Sequence, residues 1–216
     1  MVSYTEENYL KSLFLLSQGS GEVGVNELSQ HLGIKMPTVN SMMKKLREKK
    51  LVVYEAYKPL KLTARGKKEA GLIVRKHRLT EMFLVDIMGF TWDKVHEIAE
   101  QIEHIASPEF FDRMDSMLGH PTVDPHGSPI PDKNGNLVWK QYRSLLEVTA
   151  GETVKLCAVI NSSDEFLRFL NARNLQLGTK IKVVSVESFD QSMRVSYTGH
   201  SDEMLSKIVC EKLLVE

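Results

Sequence analysis

The segment at positions 95–104, V-H-E-I-A-E-Q-I-E-H, narrows the possible folds of this chain more than any other. Its apolar residues have the i, i+3, i+4, i+7 spacing of a helix that is buried along one face. At about 100° per residue, its polar residues fall within roughly one 100° sector on another face. These polar residues are His96, Glu100, Glu103 and His104. The segment therefore predicts an amphipathic helix that presents imidazole and carboxylate groups together, outside the core.

That polar face has the composition of a metal site. No Lys or Arg lies between Lys94 and Arg113, although acidic residues accumulate there. Carboxylates three or four residues apart on a helix repel one another, and a divalent cation would relieve this repulsion. A mixture of imidazole and carboxylate suits a transition metal. The alternative is a solvated helix surface. His77 and Glu81 form a second i, i+4 pair in another helical stretch, so the pattern predicts a metal bound between two helices.

The net charge of zero conceals two regions of opposite sign. Residues 35–78 contain 14 Lys and Arg against three Glu, whereas residues 79–132 contain 11 Asp and Glu against two cations. The first region suits a polyanion and the second suits cations. No apolar run reaches about 18 residues and no signal peptide is evident, so we expect a cytoplasmic chain with no membrane partner.

The basic region has the pattern of a winged helix. Helices are predicted over 4–18, 25–32 and 36–49, and two short strands over 51–54 and 60–62. A helix-turn-helix followed by a hairpin binds DNA through its second helix, with the wing at the phosphates. A lysine-rich solvated face is the alternative, but the clustering of cations in this one unit favours DNA. The predicted DNA-contacting residues are Thr38, Asn40, Ser41, Lys44, Lys45 and Lys58.

The rest of the chain changes from helices to strands. Further helices are predicted from 63 to about 88, through the opening segment, and over 109–118, whose wide apolar surface is the candidate dimer contact. Residues 119–137 are rich in Pro, Gly and Asp and predict a linker; its histidines, His120 and His126, are not taken as ligands. Strands over 153–160, 180–186, 192–197 and 208–215, with one helix over 163–171, predict a small barrel.

Three motifs, in this order, resemble one family. R-K-H-R-L-T-E, D-K-V-H-E-I-A-E-Q-I-E-H and P-H-G-S-P-I-P are similar to segments of the diphtheria toxin repressor and manganese transport regulator family. The resemblance implies a homodimeric, metal-dependent transcription factor that binds an inverted-repeat operator in double-stranded DNA. It implies an α+β fold with three domains: a winged helix-turn-helix over 1–72, an all-α metal-binding and dimerisation domain with the linker over 73–139, and a small SH3-like (FeoA-like) β-barrel over 140–216.

The resemblance also assigns residues. It implies metal ligands at His77, Glu81, His96, Glu100, Glu103, His104, Asn8 and Glu165. Asn8 stands where members of the family usually have Asp or Met, and Lys11 where some manganese members have an acid. Ser162 replaces an acid near Glu165. On the DNA side, the match places Lys35, Pro37, Thr38, Asn40 and Ser41 at the start of the recognition helix.

The expected function is a metal-activated repressor of metal-uptake genes. Glu100 stands where iron-responsive members carry Cys, so Mn(II) is the expected ion, with Fe(II) as the alternative and Zn(II) able to bind in vitro. A metallohydrolase is disfavoured, since E-x-x-E-H and H-E-I-A-E each lack a ligand that such enzymes need. A winged helix controlled by protein contacts through the barrel, with DNA binding independent of metal, is a third possibility.

Overall fold

The computed structural model describes residues 2–160 and 163–216, which form two compact units. Two of the boundaries between the units lie between Thr80 and Glu81 and between Glu97 and Ile98. Among the described residues, none of the helices has the length and apolar character needed to cross a bilayer. Unit 1 comprises Met1–Thr80, Ile98–Thr122 and Ile130–Val138, and unit 2 comprises Glu81–Glu97, Val123–Pro129 and Trp139–Glu216.

Unit 1 begins with the predicted winged helix. Its elements are α1 (Tyr4–Leu16), α2 (Val25–Leu32), α3 (Met36–Glu48) and the antiparallel strands β1 (Val52–Val53) and β2 (Lys61–Leu62). The helix–turn–helix spacing is confirmed: Gly33, at φ 64°, ends α2 in a left-handed conformation that a glycine adopts readily. Ser3 and Glu6 form a capping box at the start of α1.

The core of unit 1 orients α3. Val39, Met43 and Leu46 are fully buried, and they pack with apolar side chains of α1, α2 and the wing. Because these residues lie three or four positions apart, the remaining sides of α3 carry its polar residues outward. The buried stripe thus decides which side chains of α3 are available to a ligand.

The long helix α4 (Ala64–Asp86) starts at the expected cap, because the Thr63 hydroxyl accepts a hydrogen bond from Gly66 N at 3.0 Å. A Cβ on Gly66 would lie 1.9 Å from the Leu51 carbonyl oxygen, so glycine is required where the helix passes the wing. The helix predicted over the opening segment is α5 (His96–Ile102), and α6 (Pro108–Met117) follows. Since α5 ends at Ile102, Glu103 and His104 lie in the turn after it, although Glu103 N still donates to Ala99 O at 2.9 Å.

Unit 2 is built on one antiparallel sheet. Its strands and helices are β3 (Arg143–Ser144), β4 (Thr153–Val159), α7 (Asp164–Asn171), β5 (Lys180–Val186), β6 (Met193–Tyr197), β7 (His200–Leu205), α8 (Lys207–Lys212) and β8 (Leu213–Val215). The strand order in the sheet is β3-β8-β4-β5-β6-β7. A short 3-10 helix, Leu145–Glu147, follows β3, and the core includes Leu156, Ile181 and Val195.

Two predictions for this region differ from the structure, and one strand was missed. The sheet is open in the described residues, because β3 and β7 each pair along one side only, so an SH3-like barrel is not confirmed. The strand predicted over 208–215 is mostly α8, whose Ser206 cap accepts a hydrogen bond from Val209 N, and only its end forms β8. Strand β7 was not predicted, because its charged, mostly exposed residues lack an apolar alternation.

The Pro- and Gly-rich stretch at 119–137 contains turns that are held by local hydrogen bonds. In unit 2, the Asp124 carboxylate accepts hydrogen bonds from His126 N and Ser128 N at 2.8 and 2.9 Å. In unit 1, Asp132 accepts in the same way from Asn134 N and Asn136 N, at 2.8 Å each. Asx turns of this kind fold a polar segment without a core of its own.

Candidate functional site

Unit 1 contains a group of ionisable side chains that we call the Glu103 cluster: Glu7, Lys11, His77, Glu100, Glu103 and His104. Glu103 lies at its centre and is 0% exposed. Its two carboxylate oxygens lie 2.8 and 3.0 Å from Lys11 Nζ, and its Oε2 lies 2.6 Å from His77 Nδ1. Burying a carboxylate is costly without such partners, so this site is built around charge compensation.

Helix α1 supplies the other side of the Glu103 cluster. Lys11 also forms an ion pair with Glu100. His104 Nδ1 lies 2.6 Å from Glu7 Oε2, and the Tyr4 ring stacks on the His104 ring with centroids 4.7 Å apart. The first helix of the winged helix is therefore joined to the end of α5 by polar contacts.

Asn8 adds an unusual feature on the same face of α1. Its Oδ1 is buried and has no hydrogen-bond partner among the described residues. A buried hydrogen-bond acceptor without a donor destabilises the folded state, and a bound ion or water is one explanation for such an atom in a native structure. Two imidazoles, three carboxylates and this amide oxygen are the donor types that Mn(II), Fe(II) and Zn(II) take. These six donor groups, which leave out the Lys11 ammonium, thus fit a divalent metal ion.

Unit 2 contains a second group, which we call the Glu81 cluster: Glu81, Asp124 and His126. All three residues are buried, and one ligand atom from each lies within 4.8 Å of the others. His126 Nδ1 is 3.8 Å from Glu81 Oε2 and 3.9 Å from Asp124 Oδ1. His96, more exposed, places its Nδ1 3.3 Å from the other Glu81 oxygen.

The orientation of His126 favours a cation in the Glu81 cluster. Its Nε2 lies 3.0 Å from the Trp92 carbonyl oxygen, which can only accept, so Nε2 carries the donated proton. In the neutral imidazole this leaves Nδ1 unprotonated, and Nδ1 faces two carboxylates at distances too long for hydrogen bonds. Metal-binding histidines commonly donate their second N–H to a backbone carbonyl in this way.

The structure distributes the predicted ligands between the two units. His77, Glu100, Glu103 and His104 belong to the Glu103 cluster, with Asn8 beside them; Glu81 and His96 lie together in unit 2. Glu165 is exposed in the first turn of α7, and the group of Glu81, Asp124 and His126 does not include it. Ser162 lies outside the described residues.

Sequence reasoning missed three members of these clusters. Glu7 precedes Asn8 by one residue, and only the orientation of α1 shows that its carboxylate reaches His104. His126 was set aside as a linker histidine, although it lies in the P-H-G-S-P-I-P motif that carried the family resemblance, and Asp124, which directly precedes that motif, was not considered. Their burial depends on close packing with β4: His126 O accepts from Val159 N at 2.9 Å, and a Cβ on Gly127 would lie 2.2 Å from Cys157 O.

The predicted DNA-contacting residues of unit 1 are mostly exposed. Asn40 differs, because it is half-buried and its Oδ1 accepts a hydrogen bond from the Tyr54 hydroxyl at 3.2 Å. Lys58 is exposed in the wing and pairs with Glu55 at 2.5 Å. The predicted DNA-contacting residues that are exposed on and directly before α3 are Lys35, Pro37, Thr38, Ser41, Lys44 and Lys45.

A winged helix with an exposed basic face, in a chain that also contains two groups of metal-type ligands, defines a metal-dependent DNA-binding regulator. Two family models match the chain: "Iron dependent repressor, N-terminal DNA binding domain" over residues 1–60, and "Iron dependent repressor, metal binding and dimerisation domain" over residues 63–132. The chain belongs to the diphtheria toxin repressor and manganese transport regulator family of metal-dependent transcriptional repressors.

Individual relatives differ in their metal. The iron-dependent repressor IdeR of Mycobacterium leprae is 34% identical over 131 residues, covering 59% of this chain and 55% of the relative, so the match spans about half of that relative's length. The HTH-type transcriptional regulator MntR of Bacillus velezensis is 30% identical, covering 55% of this chain and 82% of the relative. A solved structure described as a manganese-dependent transcriptional repressor in complex with manganese is 29% identical, with a TM-score of 0.88 over 97% of this chain and 98% of that chain. The first and the third are described as repressors and the second as a transcriptional regulator, and none of the three is described as an enzyme.

Proposed function

We propose that this protein is a repressor of metal-uptake genes whose activating ion is Mn(II). The observation that carries the proposal is the Glu103 cluster, in which carboxylates and imidazoles from α1, α4 and the end of α5 converge around one buried carboxylate. A divalent ion bound there would join α1, part of the DNA-binding region, to helices of the region that matches the metal-binding model. Cells rich in the metal would then reduce its import.

The proposed ligands come from both units. They are Asn8, His77, Glu100, Glu103 and His104 from unit 1 and Glu81, His96 and Glu165 from unit 2, to which we add Glu7, Asp124 and His126. The metal, when bound, supplies positive charge and fixed coordination geometry. The protein's own residues hold α1 against the end of α5 and bring the carboxylates together.

Mn(II) is favoured over Fe(II) by the donor types. Neither the Glu103 cluster nor the Glu81 cluster contains a thiolate or thioether, and hard carboxylate oxygens suit Mn(II). Fe(II) is the second candidate, because an iron-dependent repressor is among the relatives. Zn(II) binds the same donor types and is expected to occupy the protein in vitro.

The proposed assembly is a homodimer on an inverted repeat. Residues 1–72 would bind DNA, residues 73–139 would bind metal and dimerise, and residues 140–216 would form the C-terminal domain. Phe110 and Met117 of α6 are 41% and 62% exposed, which is unusual for large apolar side chains and fits a dimer contact. Two recognition helices related by a two-fold axis read half-sites one helical turn apart.

The test compares Glu103→Gln with wild type in a DNA-binding titration, with and without Mn(II). Gln keeps the shape of Glu103 and removes its charge, so the variant should bind DNA as weakly with Mn(II) as without it. The control is Glu109→Gln, since Glu109 is exposed on α6 and pairs with Arg113. Full Mn(II) stimulation of the Glu103 variant would disprove the assignment.

A further inference from the structure

Lys11 has a position that the expected ligand set does not explain. Its side chain is only 10% exposed, and its ammonium contacts both oxygens of Glu103, at 2.8 and 3.0 Å, and also the Glu100 carboxylate. A buried lysine normally appears where its charge is paired. Here it is paired with two carboxylates that we propose as metal ligands.

Lysine cannot share these carboxylates with a metal as a fellow ligand. A protonated amine has three donors and no lone pair, so it cannot coordinate an ion. Two cations held by the same pair of carboxylates at close range repel each other, and the repulsion is stronger where water is excluded. A divalent ion that binds Glu100 and Glu103 must therefore either displace the Lys11 ammonium or bind more weakly because the ammonium repels it.

The charges of the Glu103 cluster lead to the same conclusion. The cluster contains three carboxylates, and Lys11 of α1 pairs with two of them, Glu100 and Glu103, while Glu7 pairs with His104. Without that charge, the metal-free cluster would hold buried like charges, which destabilises the contact between α1 and α5. With it, α1 is joined to α5 before any metal arrives.

We propose that Lys11 is a tethered cation that occupies the metal position between Glu100 and Glu103 in the metal-free protein and thereby sets the metal concentration at which the protein responds. This inference rests on the proposed function for the identity of the site. The long, flexible side chain of lysine allows the ammonium to move out toward solvent when a divalent ion takes its place. Lys11 thus lowers metal affinity and stabilises the metal-free state through the same contacts.

The experiment measures Mn(II) affinity by competition with a fluorescent chelator, in the full-length protein without DNA. Lys11→Met keeps the apolar stem and removes the charge, and Lys11→Gln is a second neutral variant that retains a hydrogen-bond donor. Both should bind Mn(II) ~10-fold more tightly or better, which corresponds to at least about 1.4 kcal/mol. Lys11→Arg keeps the charge and should remain close to wild type.

The control is Lys49→Met, since Lys49 pairs at 2.7 Å with Glu6, which is not a member of the Glu103 cluster. It should leave Mn(II) affinity unchanged. In chelator, the neutral Lys11 variants should melt at a lower temperature than wild type, and Mn(II) should raise their melting temperature more than that of wild type.

Equal or weaker Mn(II) binding by both neutral variants would overturn the role of Lys11 and leave the proposed function untouched. Conversely, tighter binding by these variants, in a protein whose DNA binding does not respond to metal, would support Lys11 as a competing cation and refute the proposed function. Because affinity is measured without DNA, the two failures are distinguishable.

Discussion

Among single residues, Asn8 offers the most direct test of the metal position in unit 1. Its Oδ1 is buried without a hydrogen-bond partner in the described part of the chain. Replacing this neutral oxygen donor by a carboxylate, in Asn8→Asp, should tighten Mn(II) binding by ~10-fold, because the ion then meets a further negative charge. The same change should lower the melting temperature in chelator, since it adds a fourth carboxylate to the site.

The affinity of Asn8→Asp is measured by chelator competition beside Asn26→Asp, which adds the same charge at an exposed position of α2. Unchanged affinity in the Asn8 variant would show that Oδ1 does not face the ion. A gain of the same size in both variants would point to a general effect of charge instead of coordination.

His126 tests the Glu81 cluster in the same way. Its Nδ1 faces Glu81 and Asp124, while Nε2 is held by the Trp92 carbonyl. Replacing it in His126→Gln removes the imidazole donor, so we expect fewer Mn(II) ions to be retained per subunit after dialysis, as measured by elemental analysis. In the control, His120→Gln, the replaced histidine is exposed and lies 2.9 Å from Asp115, and metal content should not change. Identical metal content in both variants would rule out His126 as a ligand.

The ligands that could be predicted from the sequence are those that helical spacing within one segment brings close together. The 3.6-residue repeat, which is visible in the sequence, predicts that Glu100, Glu103 and His104 lie close together. They do so although α5 ends at Ile102, because Glu103 N still bonds to Ala99 O. Glu7, Asp124 and His126 were missed because their contacts depend on how α1 and the 123–129 segment pack, which no local pattern encodes.

At the scale of elements, α3 links the core to DNA recognition. Its buried Val39, Met43 and Leu46 fix its rotation, and Lys44 is exposed beside that stripe. If Lys44 contacts a phosphate, Lys44→Ala should weaken binding to operator and unrelated DNA alike, and should reduce the slope of log K against log salt by about 0.9.

The slope is measured by titrating each variant with duplex DNA at several salt concentrations. Lys207→Ala is the control, because Lys207 lies in α8 of unit 2. A slope unchanged in the Lys44 variant would place this side chain away from the DNA backbone.

Elements with strong local signals were predicted well, and those decided by tertiary contacts were not. The helices α1 to α3 follow from their apolar spacing and from Gly33, and they agree with the structure within two residues at each end. The 208–215 segment is apolar enough for a strand, but the Ser206 cap and the burial of Val209 and Cys210 favour a helix first. The sheet of unit 2 is open where a barrel was expected, because closure depends on pairing of its first and last strands.

On the scale of the whole molecule, the central claim is that metal occupancy controls DNA binding. Such control requires a coupling of about 1 to 3 kcal/mol between the metal sites and the DNA face, as is typical of allosteric proteins. A coupling of that size changes DNA affinity by roughly 5- to 150-fold, which a binding isotherm resolves easily. Through Lys11, the coupling would include the exchange of one cation for another.

The most direct measurement is fluorescence anisotropy of the wild-type protein on a duplex from upstream of its own gene, in chelator and then with Mn(II), Fe(II) or Zn(II). A metal-activated repressor should bind the duplex weakly in chelator and tightly once Mn(II) is added. Mn(II) should produce tight DNA binding at a lower free-metal concentration than Fe(II) does. Equally tight binding in chelator would contradict metal activation, and the C-terminal domain would then become the place to search for the signal.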